Sequence, residues 1–329
     1  MITEIEKITD ESIEKAVRIL RDGGIIGMPT ETVYGLAGVG TDSEAVKKIY
    51  EAKGRPSDNP LIAHVHKDYD IEKLVYVNQP YALELKKRFS PGPLTLVFDS
   101  KNVICKEAVC GGDTLAIRIP SHEGCQKLLR SIDLPIVAPS ANISKHTSPV
   151  TAEHVFRDMN GKIPLILDGG KCTGGIESTV VDVTGEYPRI LRAGLITREM
   201  IASVCGKCEI AEHKEGDRVK SPGVKYRHYR PKCETAYFPT EKWEDAVKLY
   251  DQYKSQGKRP FIMCDGEDRH LFGDRQLLFL GNTGEEIASN LYDKLLEGEL
   301  KADIIIAVIT PREDGVYLGI MNRLLKSCG

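Results

Sequence analysis

Apolar residues recur along the chain in blocks that alternate between helical and strand-like spacing. Residues 10–22 carry apolar side chains at helical spacing and run into two glycines that stop the helix. A short apolar strand over 24–28 follows. Thr41 and Glu44 have the spacing of a capping box, which predicts a second helix that ends near Lys53. These blocks predict helices that cross over the strands of one sheet.

The same alternation continues to residue 192. It predicts helices over 81–89, 125–130 and 151–156, and strands over 61–65, 94–98, 115–119, 136–138, 165–167, 179–183 and 190–192. We therefore expect an α/β fold whose main domain is an open, twisted, mixed sheet with a concave cleft.

The pattern lapses in a polar segment that contains glycine and proline, and it resumes afterwards. Beyond the lapse it predicts helices over 241–256 and after Thr283, strands over 261–264, 277–281 and 304–309, and a final helix. We divide the chain into a first domain over 1–210, a linker over 211–235, and a second, smaller, Rossmann-like α/β domain over 236–329.

Composition and charge narrow the class of protein. With 41% hydrophobic and 28% charged residues, the chain has an ordinary globular composition. A net charge of −3 excludes the basic footprint of tight, sequence-independent nucleic-acid binding, so a bound anion must meet a local cationic pocket. Nine cysteines without regular spacing indicate a reducing compartment, and no apolar run approaches the ~20 residues of a membrane span. We expect a cytoplasmic protein without a membrane segment.

Polar side chains are dense between residues 27 and 66, where a core would require apolar periodicity. The stretch contains Thr30, Glu31, Thr32, Tyr34, Lys53, Arg55, Ser57, Asp58, Asn59 and His64. Because buried polar groups need partners and open α/β sheets bind ligands at strand ends, we interpret it as part of a small-molecule site. His64 and His66 would face the same side of a strand, and we expect the first in the pocket and the second at the surface.

Four cations lie beside turns rather than within helix faces, namely Lys53, Arg55, Arg118 and Arg192. A single arginine at a strand end is commonly solvated, but four such positions favour convergence on one cleft that binds carboxylate or phosphate. Ser140 and Asn142 follow an apolar strand, where they either bind a ligand oxygen or cap the turn. Residues 177–179 offer the same two alternatives at the start of another strand.

The linker interleaves cations with aromatic residues over 225–230. This composition suits stacking on a base and pairing with phosphates, although a basic, solvated hinge would look similar. We expect the linker to fold over a ligand in the first domain.

Several familiar sites are excluded or disfavoured. The chain contains no phosphate-binding loop, dinucleotide fingerprint, Gly-x-Ser-x-Gly elbow or His-Glu-x-x-His motif. Cys205, Cys208 and His213 offer three zinc ligands, but a second Cys-x-x-Cys pair is missing, which favours two unrelated thiols.

Several segments together resemble one known family. They are PTETVYGL, KGRPSDNPL, the pair Lys53-x-Arg55 with Ser140-x-Asn142, the stretch from Asp168 to Asp182, and SPGVKYRHYRPK. In this order they resemble the long form of the threonylcarbamoyl-AMP synthases, in which a YrdC-like domain is followed by a linker and a family-specific C-terminal domain. The resemblance spans nearly the whole chain. It is imperfect at Lys145, where the family commonly has glycine.

The resemblance implies an activity. L-threonine, bicarbonate and ATP would give threonylcarbamoyl-AMP and pyrophosphate, and other proteins would transfer the activated group to a tRNA adenosine. Mg²⁺ would be required, held mainly by the ATP phosphates and by no dedicated protein ligands. Contact with tRNA itself would be weak or transient.

The resemblance also implies roles for the residues at matching positions. The reaction centre would contain Lys53, Arg55, Ser140 and Asn142. ATP would contact Arg55, Asn59, Thr114, Asn142, Ser148, Arg192 and Tyr226. Threonine would contact Thr32, His64, Arg118, Ser140 and Ser178.

Two alternatives stay open at this point. One is the related domain of the hydrogenase-maturation carbamoyltransferases, whose zinc-finger and acylphosphatase modules this chain lacks; competition between threonine and carbamoyl phosphate separates the two. The other is a non-catalytic RNA-binding module that uses the basic-aromatic linker. Salt-dependent binding of tRNA, measured beside pyrophosphate release, distinguishes that module from an enzyme.

Overall fold

Two sheets organise the computed structural model, which describes residues 1–57, 59–211 and 229–328. The strands of the first sheet are β1 (Glu4–Lys7), β2 (Ile26–Met28), β3 (Gly35–Val39), β4 (Ile62–His64), β5 (Val75–Tyr76), β6 (Leu94–Ser100), β7 (Thr114–Arg118), β8 (Ile136–Val137), β9 (Leu165–Asp168), β10 (Thr179–Asp182), β11 (Arg189–Arg192) and β12 (Glu209–Ile210). The strands of the second are β13 (Glu234–Phe238), β14 (Pro260–Cys264), β15 (Leu277–Phe279) and β16 (Ile304–Val308). The α-helices are α1 (Asp10–Arg21), α2 (Ser43–Lys53), α3 (Pro80–Phe89), α4 (Glu123–Ile132), α5 (Ala152–Met159), α6 (Arg198–Cys205), α7 (Trp243–Ser255), α8 (Gly284–Lys301) and α9 (Tyr317–Cys328).

The first sheet is open and mixed. Its order is β1-β9-β2-β3-β8-β4-β7-β6-β10-β11-β12, with β5 added beside β6. Both parallel and antiparallel neighbours occur, as between β4 and β7 and between β6 and β7. The predicted open, mixed α/β sheet is therefore confirmed.

Helices cover both faces of this sheet because each turns an apolar stripe toward it. Ile13 and Leu20 of α1 pack with Leu128 of α4 in one cluster. Val46 of α2 and Leu85 of α3 belong to the cluster on the opposite face.

The second sheet is smaller and parallel, in the order β13-β16-β14-β15, which confirms the predicted second α/β domain. Ala246 of α7 packs on one face with Ile306. Leu291 of α8 and Leu324 of α9 extend from the other face into the large cluster of the first domain. One apolar core thus continues from the first domain into α8 and α9. The division at 210 and 235 stays a prediction because most of the linker lies outside the described residues.

Some local predictions were wrong. Asp42 caps α2, not Thr41: the Asp42 side chain accepts the backbone N–H groups of Glu44 and Ala45. Strands β1, β3, β5, β12 and β13 and helix α6 were not predicted at all. In the part of the chain that the structure describes, no helix is both long and apolar enough to cross a bilayer.

Candidate active site

A cavity lies against the first sheet where several strand ends meet. Parallel pairing of β4 with β7 sets His64 opposite Arg118. Antiparallel pairing of β6 with β7 sets Thr95 opposite Arg118 as well, and the start of β10 follows beside β6. Strand β11 runs antiparallel to β10 and delivers Arg192 to the same place.

The space between these elements measures about 720 Å³, part of it open to solvent. The cavity is lined by Thr30, Val33, Gly35, Lys53, Arg55, Ile62, His64, Arg118, Ala138, Pro139, Ser140, Asn142, Ser144, Lys145, His146, Ser148, Glu177, Ser178, Arg192 and Tyr229.

Arg118 is the buried cation of the β4–β7 end of the cavity. Its Nη2 lies 2.8 Å from Oε1 of Glu31, whose other carboxylate oxygen accepts the backbone N–H of Ser121 at 3.1 Å. The Nε of Arg118 is buried and forms no hydrogen bond with any described residue. Burying a guanidinium N–H that has no hydrogen-bond partner costs free energy. The Nε group of Arg118 is therefore suited to bind an anionic ligand.

His64 stands beside Arg118 as an uncharged ring. Its Nδ1 lies 3.0 Å from the carbonyl oxygen of Ile62, and since that oxygen can only accept, Nδ1 carries the proton. Burial, reinforced by the Arg118 guanidinium, lowers the pKa of His64 to about 3. Of these two residues, only Arg118 therefore contributes a positive charge at this end of the cavity.

Lys53 ties the end of α2 to the loop after β8. Its Nζ donates to the carbonyl oxygens of Ser140 and Asn142, the latter at 2.7 Å, and lies 3.5 Å from Oδ1 of Asn142. Burial lowers the pKa of Lys53 well below its usual value, and the charge of Arg55 acts in the same direction. The lysine thus fixes the shape of the loop that carries Ser140 and Asn142 while lining the cavity itself.

Arg192 is buried at the β10–β11 end. Its Nε and Nη2 donate to the carbonyl oxygen of Ser178 at 3.1 and 3.0 Å, and Nη2 also contacts the Ser178 hydroxyl at 3.1 Å. The Ser178 hydroxyl lies 2.8 Å from that of Thr95. These bonds hold a hydroxyl and a guanidinium side by side at the cavity wall.

Glu177 is a buried carboxylate at the same wall. Oε1 accepts the Ser148 hydroxyl at 2.7 Å, while Oε2 accepts the Tyr292 hydroxyl at 2.9 Å and Nε of Arg323 at 3.1 Å. Burial by itself would raise the pKa of Glu177, but Arg323 and Arg192, with the Ser148 hydroxyl, hold it at about 2. The carboxylate is therefore ionised at neutral pH.

Most residues that the sequence singled out line this cavity, but some do not. Lys53, Arg55, His64, Arg118, Ser140, Asn142, Ser148, Ser178 and Arg192 are among its lining. Thr32 lies behind the lining residue Thr30, whose hydroxyl it contacts at 2.9 Å. Thr114 is at the far end of β7 from Arg118.

Four further residues that the sequence singled out are not in the described lining. The Asn59 side chain is buried, outside the lining, with no hydrogen-bond partner among the described residues. His66 was expected at the surface, which is wrong: it is buried and lies 3.1 Å from Asp133. Tyr226 and His213 lie outside the described residues.

Among the polar lining residues, Ser144 and His146 were not singled out by the sequence. Glu177 was considered only as part of the 177–179 segment, and its ion pair gave no local signal because Arg323 is 146 positions away. Tyr229 belongs to the segment 225–230 that was expected to fold over a ligand. Tyr229 stacks on Tyr292 with the ring centroids 5.3 Å apart, and its carbonyl oxygen accepts the Thr147 hydroxyl at 3.0 Å.

The described residues hold no group of three or more His, Cys, Asp or Glu side chains arranged to bind a metal ion. Of the carboxylates near the cavity, Glu31 and Glu177 are already engaged by arginines, and Asp158 and Glu299 by His146. The wall thus supplies cations and hydroxyls rather than a metal cage. Cys205 and Cys208 are free thiols.

Comparisons with known protein families cover nearly all of the chain from residue 18 onward. A family profile described as "Telomere recombination", which groups Sua5, YciO and YrdC proteins, matches residues 18–194. A second, described as "Threonylcarbamoyl-AMP synthase, C-terminal domain", matches residues 196–329. Together the two profiles account for both domains.

Similar proteins from distant organisms match over nearly their full length. A threonylcarbamoyl-AMP synthase from Pyrococcus abyssi is 40% identical, over 98% of this chain and 96% of its own. One from Bacillus subtilis is 39% identical, over 100% of this chain and 96% of its own. One from Schizosaccharomyces pombe is 36% identical, over 97% and 88% respectively.

Solved structures agree with the sequence comparisons. The crystal structure of P. abyssi Sua5 complexed with L-threonine superposes with a TM-score of 0.90 at 40% identity and covers 100% of this chain and 97% of its own. The crystal structure of Escherichia coli YciO, at 22% identity and a TM-score of 0.53, covers 59% of this chain and shares the fold of the first domain.

Proposed function

Since the chain belongs to the threonylcarbamoyl-AMP synthase family, we propose that its cavity is where L-threonine, bicarbonate and ATP are joined into threonylcarbamoyl-AMP for the modification of tRNA. The observation that carries this assignment is the meeting of Arg55, Arg118 and Arg192 in one hollow of an otherwise acidic protein. Each substrate is an anion or bears a carboxylate, and a local concentration of guanidinium groups binds such ligands.

The proposed reaction proceeds in two steps. The threonine amine condenses with bicarbonate to give a carbamate and water. A carbamate oxygen then attacks the α-phosphorus of ATP; a new O–P bond forms, the bond to the β-phosphate oxygen breaks, and pyrophosphate leaves with the electron pair. No covalent enzyme intermediate is required, so catalysis rests on positioning and on stabilisation of charge at the phosphate oxygens.

We assign the threonine end of the cavity to the Arg118 side. The Nε of Arg118, which has no hydrogen-bond partner among the described residues, suits the threonine carboxylate. The neutral ring of His64 adds no positive charge that would repel the substrate amine. Ser178 and Ser140 supply hydroxyls at the same wall. Thr32 supports this end through Thr30.

We assign ATP to the side that carries Arg55 and Arg192. Asn142 and Ser148 lie in the same wall. The buried, unpartnered amide of Asn59 is a further polar group for the nucleotide, and Thr114 and Tyr226 keep this role as predictions. Lys53 holds the Ser140–Asn142 loop in place for both substrates.

Mg²⁺ would arrive with ATP. The described residues offer it no cluster of carboxylates, so its ligands would be phosphate oxygens and water, and its chemistry would be neutralisation of phosphate charge. Tyr229 at the cavity wall supports the proposal that the linker folds over the site. Nine free thiols agree with a cytoplasmic setting, where other proteins would transfer the product to tRNA.

The test is threonine-dependent release of pyrophosphate from ATP in the presence of bicarbonate, with mass-spectrometric detection of threonylcarbamoyl-AMP. Arg55→Ala should lower the rate at least about a hundredfold, as loss of a group that stabilises a transition-state anion does. Lys53→Ala should lower it by about the same factor, because the loop that carries Ser140 and Asn142 loses its anchor and the substrates lose their alignment. Lys47→Ala is the matched control, because Lys47 is an exposed lysine of the same helix α2 and outside the cavity.

Circular dichroism must show that the variants remain folded. Near-normal turnover of Arg55→Ala would refute the assignment of the cavity. Pyrophosphate release that depends on carbamoyl phosphate instead of threonine would favour the carbamoyltransferase alternative. Salt-sensitive tRNA binding without any pyrophosphate release would favour the RNA-binding alternative.

A further inference from the structure

The second domain reaches the wall of the cavity through one buried carboxylate. Glu177 belongs to the first domain, yet two of its three side-chain partners, Tyr292 of α8 and Arg323 of α9, come from the second. Tyr292 and Arg323 are fully buried. Nη1 of Arg323 also donates to the carbonyl oxygen of Ala193 at 2.5 Å, which anchors the guanidinium beside the Arg192 turn.

The third partner of Glu177 is a cavity residue. The Ser148 hydroxyl lies 2.7 Å from Oε1 of Glu177. An ionised carboxylate can only accept, so Ser148 must donate its single proton to Glu177. The oxygen of Ser148 is then left with lone pairs for a ligand, and the hydroxyl acts as an acceptor rather than as a donor.

We propose that Tyr292 and Arg323 are positioning residues for the nucleotide: they fix Glu177, which orients the Ser148 hydroxyl so that it accepts a hydrogen bond from an N–H or O–H group of the nucleoside. This inference rests on the proposed function, since it takes the nucleoside of ATP as the ligand at Ser148. It assigns the second domain a direct part in shaping the ATP side of the cavity.

The chemistry of the nucleoside fits an acceptor at this point. Ribose hydroxyls and the adenine amino group can donate, whereas ionised phosphate oxygens cannot. An acceptor oriented by a buried carboxylate therefore recognises the nucleoside and is unsuited to the triphosphate, which the guanidinium groups of Arg55 and Arg192 suit better. A rotating Ser148 hydroxyl without Glu177 would lose this distinction.

A double-mutant cycle tests the coupling. The proteins are the wild type, Tyr292→Phe, Ser148→Ala and the combination, and the measured values are KM for ATP, KM for threonine and kcat from pyrophosphate release. Tyr292→Phe should raise KM for ATP about tenfold, since a hydrogen bond to a charged group is lost. KM for threonine and kcat should stay within about twofold of the wild type, because the lost bond acts only on nucleotide binding.

The combination of both substitutions should be no worse than Ser148→Ala alone, because both act through one contact. Lys171→Ala is the control: Lys171 forms an exposed ion pair with Asp293 of α8, at 2.7 Å, so it weakens the same domain contact away from the cavity. All three of its kinetic constants should match the wild type.

Three results would overturn the inference. These are additive effects of the two substitutions on KM for ATP, an equal rise in KM for both substrates, and a loss of thermal stability in Tyr292→Phe with KM for ATP unchanged. Failure of the proposed function is a separate result, because the wild type itself would then release no threonine-dependent pyrophosphate.

Discussion

Each buried charge at the cavity is held by a partner from a distant segment. Arg118 on β7 meets Glu31 from the turn after β2, and Lys53 at the end of α2 donates to carbonyls of the loop after β8. Removing one partner of a buried ion pair is strongly destabilising, because it leaves the other charge buried and unpaired. These pairs therefore set the positions of the remaining donors with little freedom, which is what a site that works by positioning requires.

The backbone of Lys145, a residue of the cavity wall, is in an unfavourable conformation. It has a φ of 73°, in the left-handed region, and its carbonyl oxygen accepts the backbone N–H of Arg230 at 3.1 Å. The left-handed conformation costs a residue with a side chain about 1–2 kcal/mol, which glycine avoids. The resembled family commonly has glycine here, and the observed φ explains why glycine suits this position.

Lys145→Gly should therefore be more stable than Lys145→Ala by about 1 kcal/mol, because only glycine relieves the backbone strain. The two variants remove the same charge and nearly the same side chain, so the comparison isolates the backbone. Chemical denaturation at neutral pH measures the difference. Equal midpoints for the two variants would show that the turn bears no such strain.

At the scale of single residues, the cations and hydroxyls of the cavity could be predicted, but their partners could not. Arg118, Arg192 and Ser178 stand at strand ends, and strand ends are visible in an apolar pattern. Glu177 precedes the same strand as Ser178, but its partners Tyr292 and Arg323 could not be predicted, because they are 115 and 146 positions away. Long-range pairing of this kind depends on the packing of two domains, which no local spacing records.

For strand β3, the failure of the sequence-based prediction has a physical cause. Strand β3 contains two glycines, and a side chain at Gly38 would lie 3.1 Å from Cδ1 of Ile49 and 3.6 Å from Cβ of Ala45. The glycine lets α2 pack closely on the strand, but it interrupts the alternation of apolar and polar residues by which strands are identified in a sequence. Close helix packing here outweighs the low strand propensity of the glycine-containing segment.

Helix α2 also shows why a motif of four residues can mislead by one position. Thr41 and Glu44 have capping-box spacing, yet Asp42 occupies the N-cap and accepts two backbone N–H groups, at 2.9 and 3.2 Å. Asp and Thr are both good N-caps, and Asp is the stronger of the two. The spacing alone did not decide between them.

Asp42→Ala should lower the free energy of unfolding by about 1 kcal/mol, because two N–H groups of the first turn lose their acceptor. Thr41→Ala is the matched control: Thr41 is exposed and outside the cap, so its effect should stay within about 0.5 kcal/mol. Thermal melts of the two variants beside the wild type suffice. If Thr41→Ala lowered the free energy of unfolding more than Asp42→Ala, Thr41 would be the N-cap, as the spacing predicts.

At the scale of the whole molecule, the second domain is fused to the wall of the cavity rather than tethered to it. Gly175, with φ of 70°, comes so close to α8 that a Cβ at this position would lie 2.4 Å from the carbonyl oxygen of Ala288. The apolar cluster is continuous across this contact, with Ile176 on one side and Leu291 on the other. A rigid contact of this kind transmits the position of α8 to Glu177.

A second link between the domains depends on pH. Both ring nitrogens of His146, a lining residue of the cavity, lie 2.8 Å from carboxylate oxygens: Nδ1 from Asp158 and Nε2 from Glu299 of α8. Burial would lower the pKa of His146, but the two carboxylates outweigh it and raise the pKa to about 9. Lys232 contributes a further positive charge, 3.5 Å from Glu299. The ring is therefore an imidazolium at neutral pH.

The sign of the pH effect follows from this shift. The folded pKa of about 9 exceeds the unfolded value of ~6.5, so the imidazolium stabilises the folded state fully below pH ~6.5 and loses that effect as pH rises through 9. Against His146→Gln, the wild type should be about 2 kcal/mol more stable at pH 6, an amount reduced for solvent screening, and nearly equal at pH 10. Denaturant titrations at pH 6, 7.5 and 10 measure the difference. Lys171→Ala is the control, because the ion pair of Lys171 with Asp293 joins the same two domains without contacting His146; its stability difference from the wild type should change much less between pH 6 and pH 7.5 than that of His146→Gln. A His146→Gln difference that is equally constant would contradict the charged bridge.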